Sequence, residues 1–400
     1  MSRILGTVVR GLRTPIFQRG DDVAQLVTDT VKNFWSQEKI EIGEKDVLAI
    51  TESVVARAQG NYVSVDDIAA DVRQKFGDST IGVIFPILSR NRFAINLKGI
   101  ARGASKKIVL MLAYPSDEVG NHLVYVDRLD EKNVNPWTDV LNEKQFREHF
   151  GYEKHTFTGI DYIEYYKDIV LAEGKECEII FSNNPLTILN YTDAVLQCDI
   201  HSRKRTKKLL TKSGCQKVFG LEDIMSAPIN GSGYNADYGL LGSNKATENE
   251  IKLFPRDCFD LVKKIQQNLF EISGKKVEVM VYGDGAFKDP VGHIWELADP
   301  VVSPGYTEGL EGTPNEIKLK YIADNEFAHL QGDELKQAIS EYITHKSKDL
   351  TGDMASQGTT PRRLTDLIGS LCDLTSGSGD KGTPVIYIQG YFDNFTKPTF

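Results

Sequence analysis

Two short runs, VLAIT (Val47–Thr51) and IVLMLAY (Ile108–Tyr114), are apolar at almost every position rather than at every second one. A strand with two apolar faces must be covered on both, which calls for helices above and below a sheet. The chain supplies such helices. In GDDVAQLVTDTVKNFW, Val23, Leu26, Val27, Val31 and Phe34 share one face, and Asp21 or Asp22 is placed as N-cap. In CFDLVKKIQQNLFEISG the face is Phe259, Val262, Ile265, Leu269 and Ile272, closed by Gly274. TTPRRLTDLIGSLCDL opens with Thr360 as N-cap and Pro361 at the first helical position, and carries Leu364, Leu367, Ile368, Leu371 and Leu374. The fold class expected is α+β or α/β, with mixed sheets.

A chain of 400 residues exceeds what one compact core usually holds, so two domains, or one domain with a large insertion, are expected. Residues 105–231 have their own alternation of strands and helices and read as an inserted α/β subdomain. Residues 1–104 and 232–400 then form the core. There is no internal repeat and no low-complexity linker. A net charge of −9 argues against a protein that coats nucleic acid or an anionic membrane. The apolar runs are too short to span a bilayer, and MSRILGTVVRGLRTP meets an Arg and a Gly before a signal core could form. The five cysteines are widely separated and odd in number, which fits reduced thiols in the cytoplasm and no zinc finger. The seven histidines are equally scattered, so a histidine-based metal site is not expected.

Four stretches carry candidate chemistry. GSGDKGTP (Gly377–Pro384) runs from a helix to a strand and lacks the Walker spacing, so it is not a P-loop. Its glycines could still bring backbone N–H groups onto an anion, with Lys381 adding a charge. YGDGAF sets Asp284 at the end of a buried strand between two glycines. That is a favoured place for Mg²⁺ or Mn²⁺ beside a nucleotide, or simply a tight Asp-Gly turn. GYNADYGLLGSNKA offers Asp237 as a second carboxylate and Asn244 as a polar contact. HTFTGIDYIEYYKDIV (His155–Val170) could stack a planar heterocycle, with Asp161 or Glu164 near an amine or metal. The alternative is an aromatic core element. The basic run Arg203–Lys212 reads as a solvated helix face, or as a contact to an anion beyond a strand's carboxyl end.

The order of these pieces resembles the coenzyme F-420-0:L-glutamate ligase family, the γ-glutamyl ligases of deazaflavin coenzyme synthesis. RGDDVAQLV and KDVLAITESVVARAQG are similar to the family's GDD helix start and to its strand and S/T-containing segment ending in a Lys-Ala-Glu-Gly-like tetrad, here Arg57-Ala58-Gln59-Gly60. ADYGLLGSNKATENEIKLFP looks like the G-I-D-x-S-N segment, with extra residues between Asp237 and Asn244. ISGKKVEVMVYGDGAF resembles the T-G-K-x-V…I-x-D-T-x-G strand end, with Gly285 at the Thr position. GSGDKGTP is similar to the nucleotide loop before the last strand.

The resemblance implies a ligase core, a homodimer, and GTP- or ATP-dependent addition of L-glutamate to a deazaflavin- or folate-like carboxylate through an acyl phosphate. It implies Asp237 and Asp284 as carboxylates for Mg²⁺ or Mn²⁺. It also implies nucleotide contacts from Thr51, Glu52, Arg57, Asn244, Gly377, Ser378, Gly379, Asp380, Lys381 and Gly382. The alternatives are a nucleotide hydrolase or small-molecule kinase, and a non-catalytic nucleotide-binding regulator.

Overall fold

The computed structural model describes residues 5–285, 298–359, 362–376 and 379–396. Its first part runs β1 (Val8–Leu12), α1 (Val23–Gln37), β2 (Val47–Thr51), α2 (Glu52–Ala58), β3 (Tyr62–Ser64), α3 (Val65–Phe76), β4 (Ile81–Ile84) and α4 (Phe93–Gly103). Then come β5 (Lys107–Leu112), α5 (Val126–Lys132), β6 (Leu141–Asn142), α6 (Glu143–Phe150), α7 (Tyr162–Ala172), β7 (Glu176–Phe181), β8 (Ala194–Gln197), α8 (Arg203–Lys212) and β9 (Lys217–Gly220). The last part holds β10 (Asn244–Lys245), β11 (Glu250–Lys252), α9 (Cys258–Ser273), β12 (Glu278–Tyr282), β13 (Gly305–Tyr306), α10 (Leu319–Asp324), α11 (Gly332–His345), α12 (Leu364–Ser376) and β14 (Val385–Gln389). The fold is α+β, the first of the two classes expected.

A five-stranded mixed sheet has the order β1-β14-β2-β12-β13, and β2 and β12 are its parallel pair. Alternate residues of the apolar runs feed opposite layers. Leu48, Ile50, Val279 and Val281 pack against Val27, Val31, Val262, Ile265 and Leu269 of α1 and α9. Val47, Ala49, Met280 and Tyr282 pack against Ile368 and Cys372 of α12. Asp22 caps α1, accepting from the Gln25 N–H, and Gly274 closes α9 in the left-handed conformation. The expected face of α9 is trimmed at its ends: Phe259 and Ile272 are largely exposed. Thr360 and Pro361 lie outside the described residues.

A six-stranded sheet has the order β6-β7-β5-β4-β8-β9; all its pairs are parallel except the edge pair β6 with β7. Successive strands leave β4 first toward β5 and β7, then on the other side toward β8 and β9. The strand order therefore reverses between β4 and β8. The boundary expected at residue 105 falls between α4 and β5, within this unit, because β4 and β5 are parallel neighbours joined through α4. A crossover of that kind shares one core with its strands.

α4 lies unusually close to α3. A Cβ on Gly103 would stand 2.6 Å from the Ala69 carbonyl oxygen and 2.8 Å from Val72 Cβ. Gly103→Ala should therefore lower stability by about 1–3 kcal/mol in urea unfolding, since the backbone clash outweighs alanine's better helix propensity. Equal or higher stability would show that the helices can part without loss.

The strand β3 joins β11 and β10 in a small antiparallel sheet. Residues around α10 and α11 form a separate small cluster through Ile322, Ile339 and Ile343. Among the described residues no helix is long and apolar enough to cross a membrane.

Candidate functional site

The segment that follows β4 in the six-stranded sheet meets the segment that follows β12 in the five-stranded sheet, and ionised groups gather there. The register of the first sheet pairs Thr51 with Tyr282, and Val385 lies opposite Ile50. One sheet edge therefore gathers the start of α2, Asp284 just beyond β12, and the loop that leads into β14. The Thr51 N–H donates to the Pro384 carbonyl at 3.0 Å, which ties that loop to β2.

Arg92, on the loop leaving β4, crosses from the second sheet. Its Nη1 donates to Asp299 Oδ1 at 2.7 Å, and its Nη2 donates to Asp284. The Asp284 N–H donates to the other oxygen of Asp299 at 2.8 Å, and the Gly285 N–H donates to Asp373 at 3.0 Å. The glycines around Asp284 are required for these approaches. A Cβ on Gly283 would stand 2.3 Å from Asp299 Oδ2, and one on Gly285 would stand 2.8 Å from Ser370 Cα. The space beside these two glycines is taken up by Asp299 and by Ser370 of α12.

Behind this group Glu52 and Lys252 form a buried pair, with Nζ 2.8 and 3.0 Å from the two carboxylate oxygens. Four carboxylates (Glu52, Asp284, Asp299 and Asp373) thus share two cations, Arg92 and Lys252. Burial raises the carboxyls of Glu52, Asp284 and Asp373 above their ordinary range. Burial, then the charge of Asp299, raises the Asp284 carboxyl above its ordinary range, against the pull of Arg92. Burial also raises Glu52, against Lys252. Burial disfavours the Arg92 cation, yet Asp299 and Asp284 hold it firmly charged.

The loop that carries Arg92 is pinned from the second sheet. Tyr166 Oη donates to the Ile87 carbonyl at 2.6 Å, and the Ser89 N–H donates back to that hydroxyl at 2.8 Å. Asp117 accepts from the N–H groups of Leu88, Val119 and Asn121. Burial pushes its carboxyl up to about 6. A carboxyl raised in the folded chain binds its proton more readily there than in the unfolded chain, where it titrates near 3.9. Its contribution to stability should therefore fall by about 3 kcal/mol as pH rises from about 4 to about 6, and stay flat above that. Carboxyl ¹³C titration should place its midpoint near 6, and a midpoint near 4 would contradict this account.

The sequence-predicted residues divide into groups. Thr51, Glu52 and Asp284 stand at the shared edge. Gly379, Asp380, Lys381 and Gly382 form an exposed turn on the helix-to-strand connection there, while Gly377 and Ser378 lie outside the described residues. Asn244 is paired in register with Lys252 and so adjoins the buried ion pair. Arg57 is at the far end of α2, and its Nε donates to the Phe17 carbonyl at 2.6 Å. Asp237 is exposed in a turn, and its N–H donates to Asn235. Among the described residues no hydrogen bond or ion pair joins it to Asp284. Asp161 caps α7 and pairs with Arg147, and Tyr162, Ile163, Tyr166 and Val170 are core residues, so that segment is structural. The basic run forms α8, mostly exposed. The sequence reading missed Arg92, Asp299, Asp373 and Lys252. Arg92 reaches Asp284 and Asp299 from the other sheet, a contact between segments about 190 residues or more apart, and the signal that remained was a pair of arginines, Arg90 and Arg92, just beyond a buried strand.

The described residues do not fit the expected Mg²⁺ or Mn²⁺ pair. Asp284 is engaged by a guanidinium and Asp237 is exposed elsewhere. Among the described residues no group of three or more His, Cys, Asp or Glu side chains is placed to hold a metal ion. A cavity of about 1180 Å³ opens at the other end of the strands beside Lys45, Lys276 and Glu278, and none of the sequence-predicted residues lines it.

The fold and the charged cluster do not by themselves define an activity; the comparison with known proteins does. The profile of the family described as F420-0:Gamma-glutamyl ligase matches residues 11–390, and the chain belongs to that family. No curated protein matches the sequence. Among solved structures, the biosynthetic arginine decarboxylase SpeA from Campylobacter jejuni aligns at 10% identity with a TM-score of 0.15, covering 93% of this chain and 68% of that one. That likeness is too low to carry any argument.

Proposed function

We propose that this ligase uses GTP or ATP to join L-glutamate to a small-molecule carboxylate, deazaflavin- or folate-like, through an acyl phosphate. The observation that supports this reading best is the family match along almost the whole chain, residues 11–390. In this scheme a carboxylate oxygen of the acceptor attacks the γ-phosphorus, the bond to the β-phosphate oxygen breaks, and the nucleoside diphosphate leaves. The glutamate amine then attacks the acyl carbon, the C–O bond to phosphate breaks, and the nitrogen loses a proton. Such chemistry needs position and charge more than a covalent catalyst.

The chain's own residues meet those needs from three sides. The turn Gly379–Gly382 with Lys381 offers N–H groups and a cation to phosphate oxygens. Arg92 balances the carboxylates around the reacting groups. The unit built on the six-stranded sheet, which includes β4 as well as most of the 105–231 stretch, selects the acceptor from its β4–β8 crevice, where ligands of such sheets bind. A homodimer is part of this reading, and sedimentation equilibrium checks it.

Release of nucleoside diphosphate tests the proposal. It should require L-glutamate and an acceptor fraction together. Equal release without glutamate would point to a hydrolase and contradict it.

A further inference from the structure

We propose that the resident cation of this site is Arg92 itself: Asp284 and Asp299 hold its guanidinium in place of a divalent metal ion. The inference concerns the same site as the ligase reading, but its test needs no turnover, so either can fail alone.

The geometry around Asp284 is the first observation. Both carboxylates that a metal would need are already engaged by one planar fork, and the Asp284 N–H fixes the remaining oxygen of Asp299. The Arg92 side chain is only 14% exposed. A metal entering here would have to displace the guanidinium and leave a buried cation unpaired, which is strongly unfavourable. A guanidinium is permanently charged and matches two carboxylates at once, so it can fill the electrostatic role without an ion from solution.

The second observation comes from the segment before β10. Laid without a gap, the pattern G-I-D-x-S-N falls on Gly239–Asn244 and sets Leu241 where the pattern has Asp. The structure supports that register. Gly239 takes a φ of +50°, and a Cβ there would stand 2.4 Å from the Ile224 carbonyl oxygen. Ser243 Oγ accepts from Asn96 Nδ2 at 3.0 Å, one turn along α4 from Arg92. Leu241 is 1% exposed and lines the same small cavity as Arg92 and Asn96. A leucine thus stands where one carboxylate of a metal pair would be, beside a guanidinium that neutralises the carboxylates that remain. A divalent ion would then reach this protein only as a complex with the nucleotide.

Titration of the nucleotide-free full chain with Mn²⁺, followed by electron paramagnetic resonance, tests this. The wild type should leave the free Mn²⁺ signal unchanged at equimolar concentration. Binding of one Mn²⁺ per chain that Asp284→Asn abolishes would overturn the proposal. Binding that Asp284→Asn leaves unchanged would place the ion elsewhere and support it. Arg92→Gln, if folded by circular dichroism, should bind Mn²⁺ at least tenfold more tightly than wild type. A folded Arg92→Gln with no gain would overturn the claim that the guanidinium excludes the metal. If that variant does not fold, the wild type and Asp284→Asn decide the question.

Discussion

Lys252→Met should lower the stability of the folded chain by about 3–5 kcal/mol, the range for removing one partner of a buried ion pair. Lys252 Nζ contacts both oxygens of Glu52 and lies 3.2 Å from Ser53 Oγ, and both charged side chains are less than 10% exposed. Without Lys252, Glu52 would face the charge of Asp299 in a dry setting. The double variant Glu52→Gln with Lys252→Met should regain most of the loss, because it removes both charges and keeps their volume. Urea unfolding of the three variants measures the cycle. A loss below about 1 kcal/mol for Lys252→Met, the size usual for an exposed pair, would mean that water reaches it.

The other large effect is expected on activity. Asp284→Asn should reduce glutamate-dependent nucleotide turnover by about 10²- to 10³-fold, the scale for removing one preorganised electrostatic group. Asparagine is nearly isosteric and can accept one hydrogen bond from Arg92, and the Asp284 side chain is 31% exposed, so the fold should survive. With one carboxylate gone, Arg92 would be drawn toward Asp299 and lose its bridging position. An Asp284→Asn enzyme of full activity would exclude this cluster from the reaction.

Much of the frame could be read from the sequence. Val47–Thr51 appears as the strand its unbroken apolar run predicts, and Asp22 caps the helix that Val23, Val27 and Val31 pattern. These features are local, set by periodicity and capping within one window. The glycines of YGDGAF read as room for a metal and its nucleotide or as a tight turn, whereas Asp299 and Ser370 pack against them, and those contacts follow from how strands and helices stack. Arg92 was invisible for the same reason, since no short window shows that the loop after β4 faces the end of β12. Asp237 was chosen for being a carboxylate near a motif, whereas the folded segment buries Leu241 and leaves Asp237 in a solvated turn. The aromatic segment at His155–Val170 has its own lesson. Tyr166 does serve the site, by holding the Arg92 loop, yet it does so from within the core.

The most direct test of the central claim follows isotopically labelled L-glutamate in a reaction with the purified chain, GTP or ATP, and a small-molecule extract. Mass spectrometry should reveal a product whose mass carries the label. The product should form with one nucleoside diphosphate released per glutamate joined and be absent when nucleotide is omitted. Nucleotide consumption with no labelled product, across extracts known to contain carboxylate acceptors, would contradict the assignment of this site to γ-glutamyl amide formation.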